Sequence, residues 1–288
     1  METLNTNKKY HSKLLLVGEY ALLVGGDALS ICYDTFYGVW QYGVHEYPSL
    51  HPLLHYIRNH ETLSKIILHS QFENELSKGL FFKSNIPEGY GLGSSGALCA
   101  AVLDQFSKAH FKALNEIKSI LGMMESFFHG QSSGLDPLVS YMDKTLWVKH
   151  TGHVDMIPNH IQLNAKKYSI SLYDSGQSRH TEQLVNLFKE KINSTLFREL
   201  YQQEIIQVNH HLIDALLNQH EDLVIQNWKQ LSINSLKIYD AFIPAHVKKY
   251  WQQGLDNNDY YIKLCGAGGG GYFLCMKANQ RYAMIYNK

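Results

Sequence analysis

Residues 80–106 constrain the fold more than any other stretch. LFFKSN (residues 80–85) reads as a strand and runs into IPEGYGLGSSGALCAAVLDQF, where a glycine-rich loop opens directly into an apolar, alanine-rich helix. Glycines let a backbone approach a ligand closely, and the helix that follows offers unpaired N–H groups and the positive end of its dipole. Together these make a phosphate cradle, to which Ser94 and Ser95 add hydroxyls able to reach a phosphate or a magnesium ion. No Gly-Lys-Ser/Thr follows the glycines, so the loop is not a Walker A motif, and its spacing is not the dinucleotide fingerprint either. The plainer alternative is a glycine-rich turn with a serine capping the helix.

The rest of the chain alternates between sheet and helix patterns. KLLLVGEYALLVG (residues 13–25) reads as two strands joined by a functional turn, and the aromatic, β-branched residues 30–44 as more sheet. Residues 53–78 are helical in part, and residues 115–129 form a second helical pattern that ends in a loop, GQSSGLDP, before the strand-like KTLWVKH. From Tyr168 come a strand, YSISLYDS, long amphipathic helices to about Gly254, and YIKLCGAGGGGYFLCM as strand, glycine loop and strand. Two α+β halves meeting near residues 155–167 are the simplest division, giving domains 1–160 and 161–288.

Composition excludes several function classes. The 288 residues are 45% hydrophobic and 18% charged, so the chain has packed cores rather than disorder. Lys plus Arg total 26 and Asp plus Glu total 26, leaving no basic field for a nucleic acid or an anionic membrane; any anionic ligand must be held locally. The 16 histidines make that neutrality sensitive to pH. Cys32, Cys99, Cys265 and Cys275 sit apart in apolar stretches, as buried thiols in a reducing compartment do, and no Cys-x-x-Cys pair suggests zinc. METLNTNKKY lacks the apolar core of a signal peptide and no segment approaches the ~18 apolar residues of a membrane span, so the expectation is a soluble, cytoplasmic protein. The spacing of His45, His51, His55 and His60 fits no zinc pattern; His150 and His153 read as surface or strand-end residues. The tyrosines from Tyr33 to Tyr47 read as core and pocket wall.

Three motifs in order resemble those of the GHMP kinases, the family of galactokinase, homoserine kinase, mevalonate kinase and phosphomevalonate kinase. KLLLVGEYALLVGG (residues 13–26) is similar to the first motif, PEGYGLGSSGA (residues 87–97) to the ATP-binding second, and KLCGAGGGGYFL (residues 263–274) to the third. Within the family, ESFFHGQSSGLD (residues 125–136) resembles the Glu-x-x-x-His-Gly-x-x-Ser-Gly-x-Asp of the mevalonate kinase branch. The resemblance implies a two-domain α+β fold, with a half like ribosomal protein S5 domain 2 followed by a ferredoxin-like half. It implies ATP and Mg2+ as cofactors and a small alcohol such as mevalonate as substrate, with neither nucleic acid nor membrane as partner; a homodimer is compatible with it. Asp136 would be the catalytic carboxylate and Lys13 its partner, with Ser95 and Glu125 as magnesium ligands. Gly89, Gly91, Leu92, Gly93, Ser94, Ser95, Gly96 and Ala97 would hold ATP. Glu19, Tyr20, Thr181, Gly266, Ala267, Gly268 and Gly269 would lie on the substrate side, although Thr181 is equally placed to cap a helix.

These roles suit phosphoryl transfer, which needs a cation on the phosphates, a carboxylate to orient or deprotonate the nucleophile, and positive charge near the in-line path. The chain departs from the mevalonate kinase pattern at Tyr20, Pro137 and Tyr272, and its Glu-Tyr-Ala and Gly96 look more like phosphomevalonate kinase. Mevalonate is the expected acceptor, followed by phosphomevalonate, whose extra phosphate would require further cations, with Arg179, His180 and Lys83 the candidates. A sugar comes third. Gly93 and Glu125 disfavour a diphosphomevalonate decarboxylase, and a catalytically silent nucleotide-binding protein on the same fold is the non-enzyme alternative.

Overall fold

The computed structural model describes residues 4–44, 49–108, 111, 113–179 and 181–279, which leaves His45, Tyr47 and His180 outside the described residues. The chain divides into two compact units, the first from residues up to Leu14, Ile31–Glu88 and Leu92–Lys144, the second from Leu15–Ser30, Gly89–Gly91 and residues from Thr145 on. Strand β1 (Tyr10–Val17) and its neighbour β2 (Ala28–Tyr42) contribute to both units.

In the first unit the far end of β2 pairs antiparallel with β3 (Leu80–Ser84), from Gly38 opposite Ser84 to Tyr42 opposite Leu80. Gly38 is required there: a Cβ would stand 2.1 Å from the Phe82 ring. Helices α1 (Leu50–Asn59), α2 (Leu63–Ile66), α3 (His69–Ser77), α4 (Ser94–Phe106), α5 (Leu114–His129) and α6 (Leu135–Met142) complete this unit. Its aromatic core is Trp40 against Phe72, Phe82 and Phe106, with ring centroids 5.2–6.1 Å apart. The alanine-rich α4 is buried from Gly96 through Leu103, because small side chains let α5 and α6 pack close on it. At the tightest point a Cβ on Gly96 would lie 2.9 Å from the backbone nitrogen of Pro137.

In the second unit, residues 28–30 of β2 pair with β4 (Thr145–Val148), which pairs with β5 (Val154–Ile157). A separate antiparallel sheet has the order β6 (Tyr168–Asp174), β8 (Tyr272–Ala278), β7 (Tyr261–Leu264). Helices α7 (Thr181–Lys191), α8 (Thr195–Tyr201), α9 (Gln207–Leu217), α10 (Glu221–Ile238) and α11 (Ala245–Asn257) accompany it, with a π-helical turn, Gln202–Ile206, joining α8 to α9. Two buried indoles satisfy their N–H groups internally, Trp228 on the Tyr261 carbonyl (3.0 Å) and Trp251 on Ser232 Oγ (2.8 Å).

The α+β class and most elements follow the sequence pattern. Three readings are corrected. The second apolar run of the first motif is a 3-10 turn, Ala21–Val24, bracketed by left-handed Tyr20 (φ 59°) and Gly25 (φ 78°) rather than a strand; Leu22 and Leu23 are exposed, so the run buries no alternating face. The core aromatic of β2 is Trp40, whereas Tyr33 and Tyr37 are half-buried and Tyr42 is exposed. Cys32 is half-buried, unlike the other three cysteines. His150 and His153 are exposed, and no helix among the described residues is long and apolar enough to cross a membrane.

Candidate active site

The first unit gathers Lys13, Gly93, Ser95, Glu125 and Asp136. The glycine loop reaches α4 through Gly93, whose left-handed backbone (φ 72°) is the helix N-cap. Gly93 has no side chain with which to cap, so the serine-capping alternative gives way and the first turn presents its N–H groups without a side-chain acceptor at that position. The Lys13 N–H donates to the Leu92 carbonyl (2.9 Å), which pins the loop to β1. A Cβ on Gly93 would come 3.5 Å from Lys13 Cβ and 3.7 Å from Asp136 Cβ, so the loop passes directly over that pair.

Lys13 Nζ and Asp136 Oδ2 are 2.7 Å apart, the lysine 6% and the aspartate 34% exposed. The pair is therefore anchored on one side and open on the other. Asp136 lies in the first turn of α6, not in the expected loop, and the helix dipole there favours its negative charge. Glu125, on α5, is buried. Ser95 Oγ donates to its Oε1 (3.3 Å) and Ser132 Oγ to its Oε2. Ser95 Oγ also lies 3.0 Å from His129 Nε2, and Ser132 Oγ accepts from the Gly134 N–H (3.0 Å). Burial, and next the charge of Asp136, push the Glu125 carboxyl up to about 7; hydrogen bonds from Ser132 and Ser95 and the charge of Lys13 oppose the rise. A buried carboxylate beside a second carboxylate, joined to a serine hydroxyl at a helix N-terminus, is an all-oxygen donor set suited to a hard divalent cation such as Mg2+.

The remaining candidate residues have other surroundings. Leu92 and Ala97 are fully buried, and the Ala97 N–H is bonded to the Gly93 carbonyl (2.9 Å), so these two shape the loop; Ser94 opens α4 half-buried. Gly89, Gly91, Glu19, Tyr20, Thr181 and residues 266–269 belong to the second unit. There the Arg179 guanidinium donates to the Cys265 carbonyl (3.0 Å) and occupies the space that side chains at Gly91 and Gly266 would fill, each hypothetical Cβ lying 2.4 Å from it. Gly268 and Gly269 are held as closely, with a Cβ 2.6 Å from the Phe242 carbonyl and 2.6 Å from Leu184 Cδ1. Glu19 is buried, paired with Lys263 and bonded by the Gly266 N–H; burial pushes its carboxyl above the usual range against the pull of Lys263. The Glu19 carbonyl accepts from Tyr201 and Tyr239 (2.8 and 3.1 Å). Tyr20 donates to the Ala267 carbonyl (2.7 Å) and stacks on Phe188 at 4.5 Å. Thr181 is the exposed first residue of α7. Sequence reasoning assigned no role to Ser132, His129 or Lys263.

Residues 61–144 match the family described as GHMP kinases N terminal domain. The matched segment holds β3 and helices α2 to α6. Ser95, Glu125 and Asp136 fall inside it, and Lys13 precedes it on β1. GHMP kinases are phosphotransferases that act on alcohols. The fold is shared along nearly the whole chain with L. major mevalonate kinase in complex with R-mevalonate, at TM-score 0.67 and 17% identity over 98% of this chain and 91% of that one. Streptococcus pneumoniae phosphomevalonate kinase, in complex with phosphomevalonate and AMPPNP, aligns at TM-score 0.63 and 13% identity over 96% of this chain and 93% of that one. Lactococcus lactis galactokinase, in complex with galactose, aligns at TM-score 0.63 and 15% identity, covering 98% and 88%. At these identities the likeness establishes the GHMP kinase fold. No curated protein sequence matches the chain.

Proposed function

We propose that the chain is a kinase that transfers the γ-phosphoryl group of MgATP to a small alcohol, with mevalonate as the acceptor and isoprenoid precursor synthesis as its setting. The observation that carries this reading is the Lys13–Asp136 pair (2.7 Å) packed beneath the loop that opens α4, in the unit that also holds the Ser95–Glu125 oxygens. Ser95 and Glu125 are the residues to hold Mg2+, which when bound neutralises charge on the transferring phosphates. Residues 89–97 line the nucleotide side, the α4 N-terminus directing N–H groups and its positive dipole end at phosphate.

Asp136 Oδ1 is assigned to the acceptor hydroxyl, whose proton it takes as the alcohol oxygen attacks phosphorus. Oδ2 stays on Lys13, which fixes the carboxylate plane and places a positive charge beside the developing negative charge. Glu19, Tyr20, Thr181 and residues 266–269 are assigned to the substrate side. Glu19 acts there by holding the Gly266 loop through its N–H and Lys263.

The choice among acceptors follows charge. Phosphomevalonate brings a phosphate that needs cations of its own, and the two described candidates are poorly placed to supply them. Arg179 is seated on the Cys265 carbonyl, and Lys83 is exposed on β3. The test is turnover of MgATP with purified protein against mevalonate, phosphomevalonate and a panel of sugars, followed by phosphorus NMR. Phosphomevalonate appearing from mevalonate is the expected result. Transfer to a sugar alone would overturn the acceptor, and MgATP binding with no transfer to any alcohol would overturn the kinase.

A further inference from the structure

Away from the Lys13–Asp136 pair, the first unit brings together three metal-ligating side chains from three different elements: His11 on β1, Cys32 on β2 and Asp143 at the C-terminal end of α6. His11 Nδ1 lies 2.8 Å and Cys32 Sγ 2.9 Å from the same oxygen, Asp143 Oδ1, and one ligand atom from each residue falls within 4.8 Å of the others. The backbone under the cluster is well determined by its bonds. The Asp143 N–H closes α6 on the Val139 carbonyl (3.0 Å), and its left-handed conformation (φ 51°), uncommon outside glycine, fixes the direction of the carboxylate. The Tyr37 ring meets the His11 imidazole edge-on at 6.2 Å. The cluster is reachable from solvent, since His11 is 19% and Asp143 55% exposed.

We propose that His11, Cys32 and Asp143 bind a divalent cation of the zinc class through nitrogen, sulfur and oxygen, with water in the fourth position. An imidazole, a thiolate and a carboxylate together suit a borderline-soft ion, whereas Mg2+ and Ca2+ take oxygen alone. This donor set therefore differs in kind from the Ser95–Glu125 oxygens. On binding, the Cys32 thiol proton leaves to solvent, and His11 offers the Nδ1 lone pair while carrying its own proton on Nε2. Asp34 is the negative and Lys144 the positive neighbour of the cluster. A cation here ties together β1, which carries Lys13 two residues after His11 on the same strand face, and α6, which carries Asp136 in its first turn and is capped at its C-terminal end by Asp143. The site stands whether or not the kinase reading does, because its test reads no activity.

The experiment is a Co2+ titration of the full chain, stripped with chelator and held in excess Mg2+ without nucleotide, followed by absorption spectroscopy and by Zn2+ competition. One equivalent of Co2+ should produce a sulfur-to-cobalt charge-transfer band that Zn2+ removes, and Zn2+ should raise the Tm. Cys99, Cys265 and Cys275 are buried, which leaves Cys32 as the source of that sulfur. Cys32→Ser should abolish the band and the Tm rise. His11→Gln should weaken binding by about 100-fold or more, beyond the ~10–100-fold typical of outer-sphere changes. Circular dichroism in chelator confirms that both variants fold, and the two substitutions test the site independently. Absence of the band in the parent protein, or its persistence in Cys32→Ser, would overturn the proposal.

Discussion

Replacing Glu125 with glutamine should make the protein more stable at alkaline pH. The carboxyl is buried beside Asp136, and its protonation midpoint is raised from 4.5 to about 7 in the folded chain. A raised midpoint means that the folded state holds this proton more tightly than the unfolded chain does. The stability it contributes is present below pH 4.5 and is lost as pH rises through about 7. At ~1.4 kcal/mol per pH unit, ionising Glu125 in place costs about 3 kcal/mol by mildly alkaline pH. Glutamine keeps an acceptor for the Ser132 hydroxyl and carries no charge, so it escapes that cost. The assay is urea unfolding of both proteins in chelator between about pH 5 and about pH 8, taking the difference at each pH so that other titrations cancel. The glutamine variant should gain about 2–3 kcal/mol on the parent across that range, since part of the cost is already present at pH 5. Added Mg2+ should close the gap by stabilising only the parent. A difference that stays constant with pH would refute the reasoning, because the penalty would then not reside on the Glu125 charge.

Other substitutions probe separate parts of the account. Lys263→Met should cost about 3–5 kcal/mol in urea unfolding, because it strands the buried Glu19 carboxylate, and the double variant Glu19→Gln/Lys263→Met should recover most of that loss. Gly96→Ala should destabilise by about 1–3 kcal/mol, since its Cβ would press on the Pro137 backbone, which cannot swing aside as a side chain can. Ser132→Ala should raise the Mg2+ concentration for half-maximal turnover about tenfold, and Ser132→Thr should restore the parent value by returning the hydroxyl to Glu125.

What could be read from the residues depended on how far apart the interacting partners lie. The strand, glycine loop and helix of residues 80–106 were legible because period and composition change within one short stretch, and the Glu125 to Asp136 interval because both acids lie in one motif. The run after Glu19 misled, because four apolar residues look alike in a strand and in a 3-10 turn, and only the left-handed Tyr20 and Gly25 settle the matter. The motif resemblance puts Gly91 with ATP and Gly266 on the substrate side. They also make room for the Arg179 guanidinium, an arginine that no local spacing connects to them. Ser132 was hidden because the chain reverses at Gly130 (φ 71°) and breaks the helical period between it and Glu125. Lys263 pairs with a carboxylate 244 residues away, and His11 with one 132 residues away, separations that leave no pattern in the sequence.

The central claim is that the Lys13–Asp136 pair drives phosphoryl transfer, and single-turnover kinetics of Asp136→Asn with MgATP and mevalonate tests it most directly. Asparagine preserves the shape of the side chain and removes the proton acceptor. The account predicts MgATP affinity close to that of the parent and a transfer rate lower by about 10²–10⁴-fold. An unchanged transfer rate, with mevalonate still the acceptor, would contradict it.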